Sequence, residues 1–124
     1  MTAYLLITGA IFLIVGLRAL FRPVETVAFP YALGADDVDA KNFLRSGAGG
    51  VTIASAGVFI AAAFVESLAF SALLLAVVFM GGLLFGRIVS RVLDGKPGII
   101  PRIAAAGEAL GFAFGLYWLW QIAV

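Results

Sequence analysis

Two residues of this 124-residue chain stand out for chemistry, Arg87 and Glu108, because each interrupts a long apolar stretch. Counted at 1.5 Å per helical residue from the turn that joins those stretches, both lie about 10 Å into the apolar region from the same end. An ionised side chain at that depth is costly unless it is paired or hydrated, so an Arg87–Glu108 ion pair between neighbouring antiparallel helices is the expected arrangement. Arg91 follows Arg87 by one helical turn, Ser90 and Asp94 stand beside them, and Arg45 and Arg18 close other apolar stretches within reach of the same region. The set Arg45, Arg87, Ser90, Arg91, Asp94 and Glu108 therefore reads as one basic pocket around a single deep carboxylate. The first use of such a pocket is to lock helices in register while the remaining arginines extend toward phosphates. A second is to bind an anionic headgroup, a lipid-like substrate or a small anion, helped by the amides near Gly47, Gly49 and Gly50. A third is proton or ion coupling through Glu108, which requires a shifted pKa.

Other chemistry is removed by inventory. The chain has no cysteine and no histidine, which excludes disulfides, thiolate or imidazole metal sites and most nucleophile–base pairs. Ser46, Ser55, Ser71 and Thr52 have no base at a recognisable spacing and read as hydrogen-bonding residues within helices. The acidic run Asp36, Asp37, Asp39 lacks the glycine and closing glutamate of a calcium loop, and reads as a solvated loop or helix cap. No enzyme activity, metal or cofactor is expected. A net charge of +1, with the basic residues scattered beside apolar segments, gives no nucleic-acid footprint.

The elements that must position the pocket follow from composition. Apolar residues make up 64% of the chain and the mean hydropathy is +1.15, more than a small soluble fold can hide. Runs of spanning length fall at about 2–21, 43–65, 68–93 and 99–124. The expected fold is all-α, an integral membrane four-helix bundle forming a single domain. The first connection, Arg22–Asn42, is the longest and carries Pro23, Pro30 and Gly34, with a short interfacial helix opening at Asp36. The turn at Glu66 and Ser67 is tight, and residues 94–98 (DGKPG) combine turn formers. The first segment has no basic leader and no small-residue cleavage site, so it reads as a retained span.

All eight Lys and Arg residues lie in or beside two connections: Arg18, Arg22, Lys41 and Arg45 at the first, Arg87, Arg91, Lys96 and Arg102 at the third. Positively charged loops stay in the cytoplasm, so both connections are expected inside and both termini outside, in a bacterial inner membrane. Helices in lipid associate through small residues that let backbones approach. Gly107, Gly111 and Gly115 form such a stripe in the fourth segment, Gly50 and Gly57 in the second, and Gly82 and Gly86 in the third. They are expected to pack the bundle internally, with a homodimer face on the fourth helix as the alternative. Trp118, Trp120 and Tyr117, and Tyr4 at the other terminus, read as headgroup-level anchors.

The stretch 42–50 (NFLRSGAGG), the stretch 86–97 (GRIVSRVLDGKP) and the glutamate of the fourth segment resemble the bacterial membrane family known as domain of unknown function 4345. The resemblance covers nearly the whole chain. It implies a four-helix membrane protein in which Asn42, Arg45, Gly47, Gly50, Gly86, Arg87, Asp94, Gly95 and Glu108 match the family's pattern, and it implies no activity. From the residues, the leading expectation is an accessory or scaffold protein that docks other membrane proteins or its own copies. The alternatives are a binder or carrier of an anionic lipid or amphiphile and a small transporter or channel. Membrane lipids are the partners common to all three.

Overall fold

The first apolar segment forms helix α1, Thr2–Phe21, and stops where Pro23 drives Arg22 out of helical geometry, to φ −131° and ψ 58°. This is a computed structural model describing residues 1–35 and 37–124; Asp36, the expected start of the interfacial helix and first member of the acidic run, lies outside the described residues. The last carbonyls of α1 need donors. The Thr26 hydroxyl sits 2.6 Å from the Arg22 carbonyl oxygen, and Arg45 Nη1 donates to the carbonyl of Leu20. A π-helical turn at Val24–Ala28 follows and ends with Ala32 at φ 55°. There the Leu33 N–H reaches the Ala28 carbonyl at 2.8 Å and the Ala32 N–H the Phe29 carbonyl at 3.1 Å. This is a Schellman ending, with alanine at the left-handed position usually held by glycine.

Helix α2, Val38–Phe64, begins ahead of the apolar run. Asp37 caps it by accepting the Ala40 N–H at 2.7 Å. The polar first turn containing Asp39, Lys41 and Asn42 is thus continuous with the span, and no separate interfacial helix forms among the described residues. Residues Arg45–Val51 of α2 are wound as a π-helix around Gly47, Gly49 and Gly50. The single extended residue Val65 then joins α2 to α3, Glu66–Leu93, whose first turn is 3-10. Gly95, at φ 98°, and Pro97 turn the chain into α4, Ile99–Ala123. Each of these four helices is long and apolar enough to cross a membrane, and among the described residues there is no strand.

The most extensive packing joins α1 to α2 and α3 to α4. All four helices contribute to one cluster, in which Leu5, Phe12, Phe59, Leu73, Ala76 and Met80 are buried and Phe112 and Trp118 pack from α4. The Phe12 ring meets Phe59 and Phe79 edge-on, each at 5.2 Å between centroids. Exposed Leu, Ile, Val and Phe side chains cover the outer surface, and α4 buries only Gly115. Such a surface is suited to lipid, not water.

The glycines that bring helices together are mostly not those the stripes suggest. A Cβ at Gly50 would touch only its own helix, 3.7 Å from the Arg45 carbonyl, and at Gly57, Gly82, Gly86 or Gly107 it would meet nothing within 4 Å. Only Gly111 and Gly115 of the expected set are close-packed, against Met80 and against Tyr4 and Val77. The missed contacts are Gly9 over Ile60, Gly16 over Ile53, Gly49 over the Leu20 backbone and Gly81 over Phe112. A four-residue repeat marks a helix face, but which face turns inward depends on the partner's bulky side chains, here Ile53, Ile60 and Phe112. Tyr4 is likewise turned inward: its hydroxyl donates to the Gly111 carbonyl at 2.8 Å. Trp120 is exposed, while Trp118 is half-buried and stacks edge-on with Tyr117 at 5.0 Å.

Candidate functional site: a cationic cleft between α3 and α4

Arg87 and Glu108 face each other across α3 and α4 and form a two-pronged ion pair. Arg87 Nε donates to Glu108 Oε2 at 2.5 Å and Nη2 to Oε1 at 2.6 Å. The pair is largely shielded, with 27% of the Arg87 side chain and 12% of the Glu108 side chain exposed. Parallel N–H···O bonds fix both the depth and the rotation of the two helices, which a point charge would not do.

Arg87 lines a cleft of about 800 Å³ that opens at the end of the molecule bearing the α3–α4 turn. Its walls are apolar, from Leu83, Leu84, Ile88 and Val92 of α3, Pro97 of the turn, and Pro101 and Ala105 of α4. Gly82 and Gly86, four apart, leave a bare strip along α3 where a side chain would otherwise stand, and Ser90 continues it by one turn with a small side chain. Arg91, Lys96 and Arg102 complete the lining from the last turns of α3, the connection and the first turn of α4. Among the described residues none of the three forms an ion pair, although Arg102 Nε donates to the Gly98 carbonyl at 3.3 Å. Asp94 accepts from the Ser90 hydroxyl at 2.9 Å. Tyr31 reaches the same cleft from the α1–α2 connection, beside Arg87.

The single pocket expected from sequence is therefore divided. Arg87, Ser90 and Arg91 share the cleft, with Glu108 and Asp94 bonded to its lining, but neither Arg18 nor Arg45 lines it. Arg45 is bound to the end of α1 and, with Arg22 and Lys41, borders a separate hollow of about 190 Å³. Arg22 there is paired with Glu25. The π-helical turn explains the separation, because it starts at Arg45 and lays this part of α2 against α1 through Gly49. Tyr31 carried no sequence signal as a cleft residue, since it lies in an irregular connection where side-chain direction follows from no period. Lys96 and Arg102 were visible as charges but not as lining. Among the described residues no three His, Cys, Asp or Glu side chains come together as a metal site would require.

No curated protein and no solved structure matches this chain at a significant level. Residues 1–121 match a family described as a domain of unknown function, DUF4345. That match spans both the paired arginine and glutamate and all the helices that build the cleft, and the chain belongs to the DUF4345 family.

Proposed function

We propose that this protein holds an anionic amphiphile in the α3–α4 cleft, its tail along the apolar walls and its head beside Arg91, Lys96 and Arg102. The supporting observation is the combination, in one cleft, of a bare apolar strip with three cations that form no ion pair among the described residues. Glycine inside a helix costs roughly 0.5–1 kcal/mol relative to alanine. At Gly82 and Gly86 no packing within this chain offsets that cost, because a Cβ there would enter open space. Of the helix glycines without a neighbour, which include Gly57 and Gly107, Gly82 and Gly86 are the two that line the cleft, and the space they leave there is open to a ligand. The apolar walls favour a chain-bearing ligand over a soluble anion, and basic pockets between helices suit anionic heads from the cytoplasmic leaflet. Arg87 stays neutralised by Glu108 and supplies the wall's rigidity rather than its charge.

The same reading places the first and third connections on the cytoplasmic side of a bacterial plasma membrane, both termini outside, because the positive charges flank those connections alone. A reporter fused after Val124 is expected to be active outside, and a cytoplasmic signal would reverse the orientation.

Native mass spectrometry of the full chain in mild detergent tests the cleft. Wild type is expected to retain one lipid-sized adduct, and Gly86→Leu, whose Cβ enters open space in the cleft lining, is expected to fly bare at equal helix content. Identical adducts on both proteins would exclude the cleft as the site. A bare wild type that instead carries a second copy or another membrane protein would favour the scaffold function.

A further inference from the structure

The charges around the cleft also bear on the class of head it takes, an inference that rests on the amphiphile reading. Arg91, Lys96 and Arg102 bring three positive charges to the lining from three successive pieces of chain. Asp94, held by Ser90, is the carboxylate bonded to that lining nearest in sequence, so the local balance is about two positive charges. Arg87 adds nothing to it, being matched by Glu108. A phosphodiester head with a neutral substituent carries one negative charge and would leave an excess cation. A phosphate monoester carries about −1.5 to −2 at neutral pH, with a second pKa near 6 and three acceptor oxygens. A monoester also presents three terminal oxygens to the two guanidinium groups and the ammonium, where a diester presents two. We propose that the preferred ligand is a lipid phosphomonoester, its phosphate among Arg91, Lys96 and Arg102 and its chain along the Gly82–Gly86–Ser90 strip.

The position of the charges supports a lipid over free phosphate. All three cations belong to the last turn region of α3, the connection or the start of α4, where headgroups meet water, while the strip they adjoin runs back into the apolar segment. A ligand that occupies both must be charged at one end and apolar along its length.

The experiment is a native mass spectrometry titration of the full chain with phosphatidic acid, phosphatidylglycerol of the same acyl chains, and inorganic phosphate, at pH 8 and pH 5. At pH 8 phosphatidic acid is expected to bind about tenfold more tightly than phosphatidylglycerol, the order of effect of one further charge near such cations. At pH 5, where the monoester holds a single charge, the preference is expected to fall toward parity. The triple variant Arg91→Gln, Lys96→Gln, Arg102→Gln is expected to lose the preference while keeping weak binding of both lipids, and Gly86→Leu to lose both. Helix content and melting temperature are to be matched across the variants, with Arg91→Gln and Arg102→Gln alone as milder substitutes if the triple variant fails to fold. Equal affinity for the two lipids at pH 8 would overturn the monoester inference and leave the amphiphile reading standing. No saturable 1:1 binding of either lipid would overturn both. Inorganic phosphate binding as tightly as phosphatidic acid would overturn the lipid source.

Discussion

The two ends of α3 and α4 are built on opposite principles. Where Leu73, Ala76 and Met80 meet Leu5, Phe12 and Phe59, side chains from four helices pack into one buried cluster. Toward the α3–α4 turn the same two helices are joined by Arg87 and Glu108, and everything from Ile88 to Ile100 is exposed. Glycine serves both ends. Gly81 and Gly111 let Phe112 and Met80 in, whereas Gly82 and Gly86 leave a wall bare. The difference shows that a small residue in a membrane helix has no fixed meaning: its role is set by whether a bulky neighbour fills the space it leaves.

The largest effect that would sharpen this contrast comes from the open end. Glu108→Gln strands the Arg87 guanidinium and is expected to cost about 3 kcal/mol, with part recovered when Arg87→Gln is added. Unfolding of the single and double variants in mixed micelles gives the comparison, and strictly additive losses would show that the pair is not coupled. At the closed end Phe59→Ala is expected to cost about 2 kcal/mol, the packing share of such a truncation, since lipid tails remove most of the transfer share. If its melting temperature stays at the wild-type value, the aromatic cluster is not what joins the helix pairs. A smaller effect separates the two kinds of glycine. Gly16→Ala sets a Cβ 3.0 Å from the Ile53 amide nitrogen and 3.1 Å from the Gly49 carbonyl, and is expected to lose about 1–2 kcal/mol. Gly86→Ala should lose nothing and can gain up to about 1 kcal/mol of helix propensity. Equal losses at both positions would erase the distinction. Smallest of all, Tyr4→Phe removes the bond to the Gly111 carbonyl and is expected to lower stability by about 0.6 kcal/mol, a typical value for a hydrogen bond between membrane helices.

Helices were the most legible part of the chain, because the apolar runs are long and the turns at Pro23, Val65–Glu66 and Gly95–Pro97 carry strong local signals. The early start of α2 was hidden, since Asp39, Lys41 and Asn42 are polar and extend the helix beyond the apolar run. Arg87 with Glu108 could be read from depth and charge alone, because few partners are available to an ion inside an apolar segment. Arg45 was misplaced for the converse reason. At a helix end many acceptors compete, and the Leu20 carbonyl, a backbone group with no sequence signature, holds it. The glycine faces were illegible in part because a spacing of four fits either the inner or the outer face of a helix.

Each pair is fastened internally near the charged end, α1 to α2 by Arg45 on the Leu20 carbonyl and α3 to α4 by Arg87 on Glu108. Of the described residues lining the cleft, Tyr31 alone comes from the first pair. In mechanical terms the molecule resembles two stiff levers on a common fulcrum at Phe12, Phe59 and Phe79, with Tyr31 as a strap near the free ends. A substitution that breaks one fastening is then expected to loosen its own pair and to leave the other fastened.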